Sequence, residues 1–124
     1  MMGYQYYMQD FKVNILGSEW SVKFGSEEEY PSLAKMDGYT DSSIREIVVD
    51  DMKASKGQIE SKADLESYQR QVIRHEIVHA FLFESGLDSN SNNTESWATD
   101  EEMIDWFAIQ SPKIFKAFNE LKLI

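Results

Sequence analysis

The two histidines of this chain stand four residues apart with a glutamate between them, in Arg74-His75-Glu76-Ile77-Val78-His79-Ala80. On a helix of 3.6 residues per turn, positions i and i+4 lie on one face a turn apart, so two neutral imidazoles can converge on one metal ion. Glu76, one position after His75, is turned away from that face. Its expected place is beside a metal-bound water, as general base and then proton donor. The chemistry implied by this pentapeptide is metal-assisted hydrolysis. Random placement of two histidines in a chain of this composition gives the pattern roughly 0.2% of the time, which makes accident a poor explanation.

Two imidazoles do not complete a catalytic zinc site, which usually has three protein ligands and one open position. The chain has no cysteine and no third histidine, so the third ligand must be Asp or Glu. The arrangement H-E-x-x-H-x-x-G-x-x-H is excluded, because Leu82 and Ser85 stand where it needs Gly and His. Asp88, Glu95 and Asp100 lie in or beside a loop-like segment, whereas Glu101, Glu102 and Asp105 share the helical pattern after it. Glu101 and Asp105 are i and i+4 on one face, so Glu101 could ligate the metal while Asp105 accepts the outer ring N–H of a ligating histidine. Glu102 points about 100° away around the helix and remains the alternative ligand.

The elements that must position these groups are legible in the apolar pattern. Phe11 to Leu16 and Trp20 to Phe24 alternate apolar and polar residues around Gly17-Ser18-Glu19, which predicts a β-hairpin. Gly25 to Ser43 is polar and turn-rich, and reads as a connection with one helical turn near Ser32 to Met36. Ile44 to Val49 supplies a third strand, and Met52 to Glu60 a second connection. Ser61 and Asp64 can cap a helix whose stripe is Leu65, Tyr68, Val72, Ile73, Ile77, Ala80 and Phe81, with Gly86 as its stop. The H-E-x-x-H segment therefore falls inside a helix. Asp88 to Ser96 reads as a surface loop. Thr99 and Glu102 then form a capping box for a helix turning Met103, Ile104, Trp106, Phe107 and Ala108 to the core. Ser111-Pro112 restarts a third helix with Ile114, Phe115, Phe118 and Leu121 as its stripe. The fold class is α+β: about three strands, then the motif helix and C-terminal helices.

His75-Glu76-Ile77-Val78-His79-Ala80-Phe81 followed by Glu101-Glu102-Met103-Ile104-Asp105-Trp106-Phe107-Ala108 resembles a minimal gluzincin, with Glu101 and Asp105 matching that group's E-x-x-x-D element. The ending also resembles the E-x-x-x-N-x-F-A segment of ImmA/IrrE-type peptidases of phages and bacteria. Asp105 replaces the Asn of that segment, and the Leu-rich, Pro-ended stretch that usually follows is missing, so repressor cleavage is not carried over. The resemblance covers roughly the latter half of the chain. It implies a zincin-like fold with a small, mostly antiparallel sheet, zinc held by His75, His79 and Glu101, Asp105 behind a ligand, and Glu76 as the base of peptide-bond hydrolysis. It also implies an edge strand along the cleft that binds extended peptide, for which Ile44 to Val49 is the nominee. Larger gluzincins add a His or Tyr that stabilises the oxyanion; here Tyr39, Tyr68 or an arginine are the candidates.

At 124 residues the chain has the size of a single domain spanning 1–124, and 42% hydrophobic content is ample for one core. A net charge of −10 repels phosphate backbones, so nucleic acid is not expected as a partner; it would favour a neutral or basic polypeptide substrate, although a solvated acidic surface with no partner is the commoner meaning of such a charge. Met1 through Asp10 has no basic region followed by an apolar run, and no apolar stretch approaches the roughly 18 residues of a membrane span. The expectation is a soluble cytoplasmic protein with no membrane association, in which the Asn92-Asn93-Thr94 sequon is idle. Oligomeric state has no signature. Two other readings compete with the peptidase: a non-catalytic, zinc-stabilised protein-interaction domain on the same scaffold, and a metal-free α/β module.

Overall fold

A computed structural model describes residues 9–53, 64–88 and 99–124. Outside these lie the first eight residues, most of the second connection with Ser61, and most of the polar segment carrying the Asn92 sequon. The alternating stretch after Asp10 folds back on itself as expected: β1 (Phe11–Ile15) pairs antiparallel with β2 (Ser18–Gly25), with Val13 opposite Trp20. Leu16 and Gly17 join them with φ of 51° and 95°. Positive φ at both turn positions matches the right-handed strand twist, and Gly17 takes it without a Cβ penalty. Ile15, Trp20, Val22 and Phe24 face the core.

The rest of the sheet differs from the sequence reading. A short β3 (Gly38–Asp41) pairs antiparallel with β4 (Glu46–Asp50), and β4 pairs in parallel with β2, giving the order β1-β2-β4-β3. The sheet thus has four strands, not about three, and is mixed. Gly-Tyr-Thr-Asp carries no apolar alternation, which is why β3 reads as connection. Its strand character comes from the partner strand, not from local propensity. The strand expected over Ile44 to Val49 starts two residues later, since Ile44 is exposed and Arg45 turns with φ 51°. Nor does it line an edge: Ile47, Val48 and Val49 are all fully buried at the sheet centre. An unbroken apolar run is what a strand covered on both faces requires. The expected helical turn is a 3-10 turn at Pro31–Ala34, which buries Leu33.

α1 (Leu65–Glu84) starts at Asp64, whose side chain accepts from the Ser67 N–H at 3.0 Å, and stops before Gly86 at φ 84°. Leu65, Val72, Ile73 and Ala80 close the core against β1, β2 and β4. Its last residue, Glu84, is anchored to the sheet. It accepts from Trp20 Nε1 at 2.8 Å, Ser18 Oγ at 3.2 Å and Arg45 Nε. The Arg45 guanidinium, helped by those donors, holds the Glu84 carboxyl below its ordinary value.

α2 (Glu101–Glu120) packs on α1 and is one helix, not two. Its cap is Asp100 rather than Thr99. The Asp100 side chain accepts from the Glu102 and Met103 N–H groups at 2.9 and 3.2 Å. Pro112 lies inside the helix and has no N–H to give to the Ala108 carbonyl four residues back. Arg74 Nε supplies the missing donor at 2.6 Å, so the helix continues through the proline and is tied to α1 at the same point. Ile104, Ala108 and Ser111 are buried, and Ile104 clusters with Leu82, Val78 and Met103. Trp106 is exposed, and so are Phe115, Phe118 and Leu121 at 50%, 39% and 69%, contrary to the expected inward stripe. Among the described residues no helix is long and apolar enough to cross a membrane.

β3 comes close to α1 because residue 38 has no side chain. A Cβ there would sit 2.8 Å from Val72 Cγ1, 3.2 Å from the Val48 carbonyl oxygen and 3.4 Å from Glu76 Cγ. Valine is stiff and the carbonyl belongs to the central strand, so neither yields easily. Gly38→Ala is expected to lower stability by about 1–3 kcal/mol, read as a lower urea midpoint with unchanged slope. An unchanged midpoint would show that β3 can retreat freely.

Candidate metal centre

His75 and His79 leave α1 on the same side, and their Nε2 atoms face each other 3.3 Å apart. The Glu101 carboxylate closes the triangle, with Oε2 3.0 Å from His75 Nε2 and Oε1 2.8 Å from His79 Nε2. Two ring nitrogens and a carboxylate oxygen therefore share one point, all within 4.8 Å of one another, and could hold a metal ion. A tetrahedral ion with bonds of about 2.05 Å sets its ligand atoms about 3.3 Å apart, the separation seen between the two nitrogens. The donor set also fits: two imidazoles and a carboxylate, with no fourth side chain among the described residues of the group, is the open kind of site that leaves room for water.

α2 delivers Glu101 as its first residue. The Asp100 cap fixes that turn, where a carboxylate is also favoured by the helix dipole. Asp105, one turn on, brings Oδ1 to 3.4 Å from His75 Nδ1, the ring nitrogen that faces away from the metal position. Glu102 is exposed and stands outside the group. Glu101 itself is 67% exposed, so the centre opens to solvent on the α2 side.

Glu76 has a different environment. It is only 7% exposed, and its Oε1 accepts from the Thr40 hydroxyl at 2.8 Å. Burial raises its carboxyl above the ordinary value of 4.5 and nearby Glu101 adds to this, while Thr40, His79 and His75 oppose it. Glu76, His75, His79, Glu101 and Asp105 all line one cleft of about 590 Å³, whose far wall is β3 from Gly38 to Thr40. Of the oxyanion candidates, Tyr39 and Tyr68 line this cleft and, among the described residues, no arginine does. The Tyr68 hydroxyl donates to Asp37, and its proton is held more tightly than usual, first by burial and then by that hydrogen bond. Thr40, and the strand that carries it together with Tyr39, were absent from the sequence reading. No local pattern marks them, and only the pairing of β3 with β4 brings them to the site.

If these three side chains hold zinc, Glu101→Gln should weaken binding at least about 100-fold and Asp105→Ala about 10–100-fold, with Glu102→Gln within about twofold of the parent. Titration calorimetry of the metal-stripped protein reads all three, and equal losses at Glu101 and Glu102 would contradict the assignment. No protein-family model, curated protein or solved structure matches the chain.

Proposed function

We propose that this protein is a zinc-dependent metalloendopeptidase of the gluzincin type on a zincin-like scaffold. One observation carries the reading. Two imidazole nitrogens at ligand spacing meet a carboxylate from a second helix, and another, buried carboxylate from the first helix lines the same cleft. The H-E-x-x-H helix, the later glutamate and a short antiparallel edge strand beside the cleft support the scaffold as well as the chemistry.

When bound, zinc supplies Lewis acidity and brings the pKa of its water to about 7. His75, His79 and Glu101 hold it, and Asp105 sets the His75 ring in place from the Nδ1 side. Glu76 takes a proton from water as oxygen bonds to the peptide carbonyl carbon. It returns that proton to the amide nitrogen as the C–N bond breaks. Held by Thr40 and lining the cleft beside both histidines, the Glu76 carboxylate is placed for both halves of that task. β3, as the sheet edge along the cleft, is where an extended peptide can add as a further strand; the buried β4 cannot serve. The net charge of −10 favours neutral or basic polypeptides.

The exposed apolar end of α2 favours a second reading, a zinc-stabilised interaction domain that cleaves nothing. Glu76 speaks against it. A buried carboxyl costs stability and is not needed to hold a metal already provided with three ligands. Glu76→Gln is expected to retain one zinc per chain while peptide hydrolysis falls by about 10²–10⁴-fold. Chelation should stop cleavage by the parent protein, and added zinc should restore it. A zinc-loaded parent that leaves an unbiased peptide library uncut would overturn the peptidase reading.

A further inference from the structure

The side chain of Glu76 has two oxygens, and their surroundings differ. Oε1 accepts from Thr40 Oγ1 at 2.8 Å. Among the described residues no hydrogen bond reaches Oε2 and no buried side-chain nitrogen or oxygen lacks a partner, so Oε2 meets solvent in the cleft. A carboxylate turns easily about its last bond, with broad, roughly two-fold preferences. One hydrogen bond to one oxygen removes that freedom and decides which oxygen is presented.

We propose that Thr40 is the positioning residue of the general base: it holds Glu76 by Oε1 and so commits Oε2 to the proton transfers. The proposal rests on the peptidase reading and adds to it a residue on a different element. The proton leaves water for Oε2 as the new C–O bond forms, and passes from Oε2 to the leaving nitrogen as the C–N bond breaks. Thr40 keeps its own proton throughout.

The placement of Thr40 is built in rather than incidental. It pairs with the fully buried Ile47 of the inner strand β4, so its backbone is fixed from the sheet side. Gly38 and Thr40, two apart on a strand, share the face toward α1. The missing side chain at 38 is what lets that face approach Val72 and Glu76 closely enough for the hydroxyl to reach. Its second neighbour, 3.2 Å away, is the backbone carbonyl of Glu76 itself, so the hydroxyl is seated against both ends of the residue it orients. A misplacement of about 1 Å in a catalytic group can cost about 100-fold in rate, which makes such a hold worth having.

The test uses the full zinc-loaded chain and three variants. Thr40→Val keeps the shape and removes the donor, Thr40→Ala removes it with less bulk, and Thr40→Ser keeps it. Val and Ala are expected to lose at least about tenfold in kcat with KM within about twofold and zinc content unchanged, and Ser to stay within about threefold of the parent. Crystal structures should show the Glu76 carboxylate in more than one orientation in the Val variant and in one orientation in the Ser variant. Parent-like kcat in Val or Ala, or equal losses in Val and Ser, overturns the proposal. So does a single, unmoved carboxylate in the Val variant, whether or not the parent cleaves peptides. A parent that cleaves nothing overturns the peptidase reading instead.

Discussion

Three lone-pair-bearing groups aimed at one point are the constraint on which the rest of this structure depends. Two ring nitrogens 3.3 Å apart and a carboxylate within 3.0 Å of both are held on two separate helices, so their convergence is only as good as the docking of those helices. α1 is fixed at its C-terminal end by Glu84, which gathers Trp20, Ser18 and Arg45 from the strands and turn below. α2 is fixed to α1 by Arg74, the residue immediately before His75, through the Ala108 carbonyl that Pro112 leaves without its helical donor. A proline seven residues beyond Asp105 therefore helps set the register that brings Glu101 and Asp105 to the histidines.

The cleft separates its carboxylates by environment. Glu101 is largely exposed and joins the two histidines, whereas Glu76 is buried against β3 and its charge is disfavoured. The first suits a ligand that must be ionised, and the second suits a group that must pick up and give back a proton. The two residues are chemically identical, so the difference between them comes only from where each side chain lies.

The motif helix, its Gly86 stop and the hairpin were legible in the sequence because each has a strong period and a clear boundary residue. What was not legible depends on pairing. Gly38-Tyr39-Thr40-Asp41 becomes a strand only because β4 offers it an edge, so both β3 and the Thr40 contact to Glu76 were hidden. The apolar run ending at Val49 was correctly a strand and wrongly an edge, since apolar content shows burial but not position in a sheet. Pro112 read as a break because the donor that replaces its missing N–H comes from Arg74, far away in sequence. Local pattern singled out Glu101 and Asp105 as one face, and the packing of α2 on α1 brings that face to the histidines.

The most direct measurement is anomalous scattering at the zinc absorption edge from crystals of the full chain grown with zinc. The expected result is a single peak about 2.0–2.2 Å from His75 Nε2, His79 Nε2 and a Glu101 carboxylate oxygen, with its remaining position open toward Glu76. A peak held by other residues, or none between the two histidines, would contradict the assignment of this cleft as a hydrolytic zinc centre.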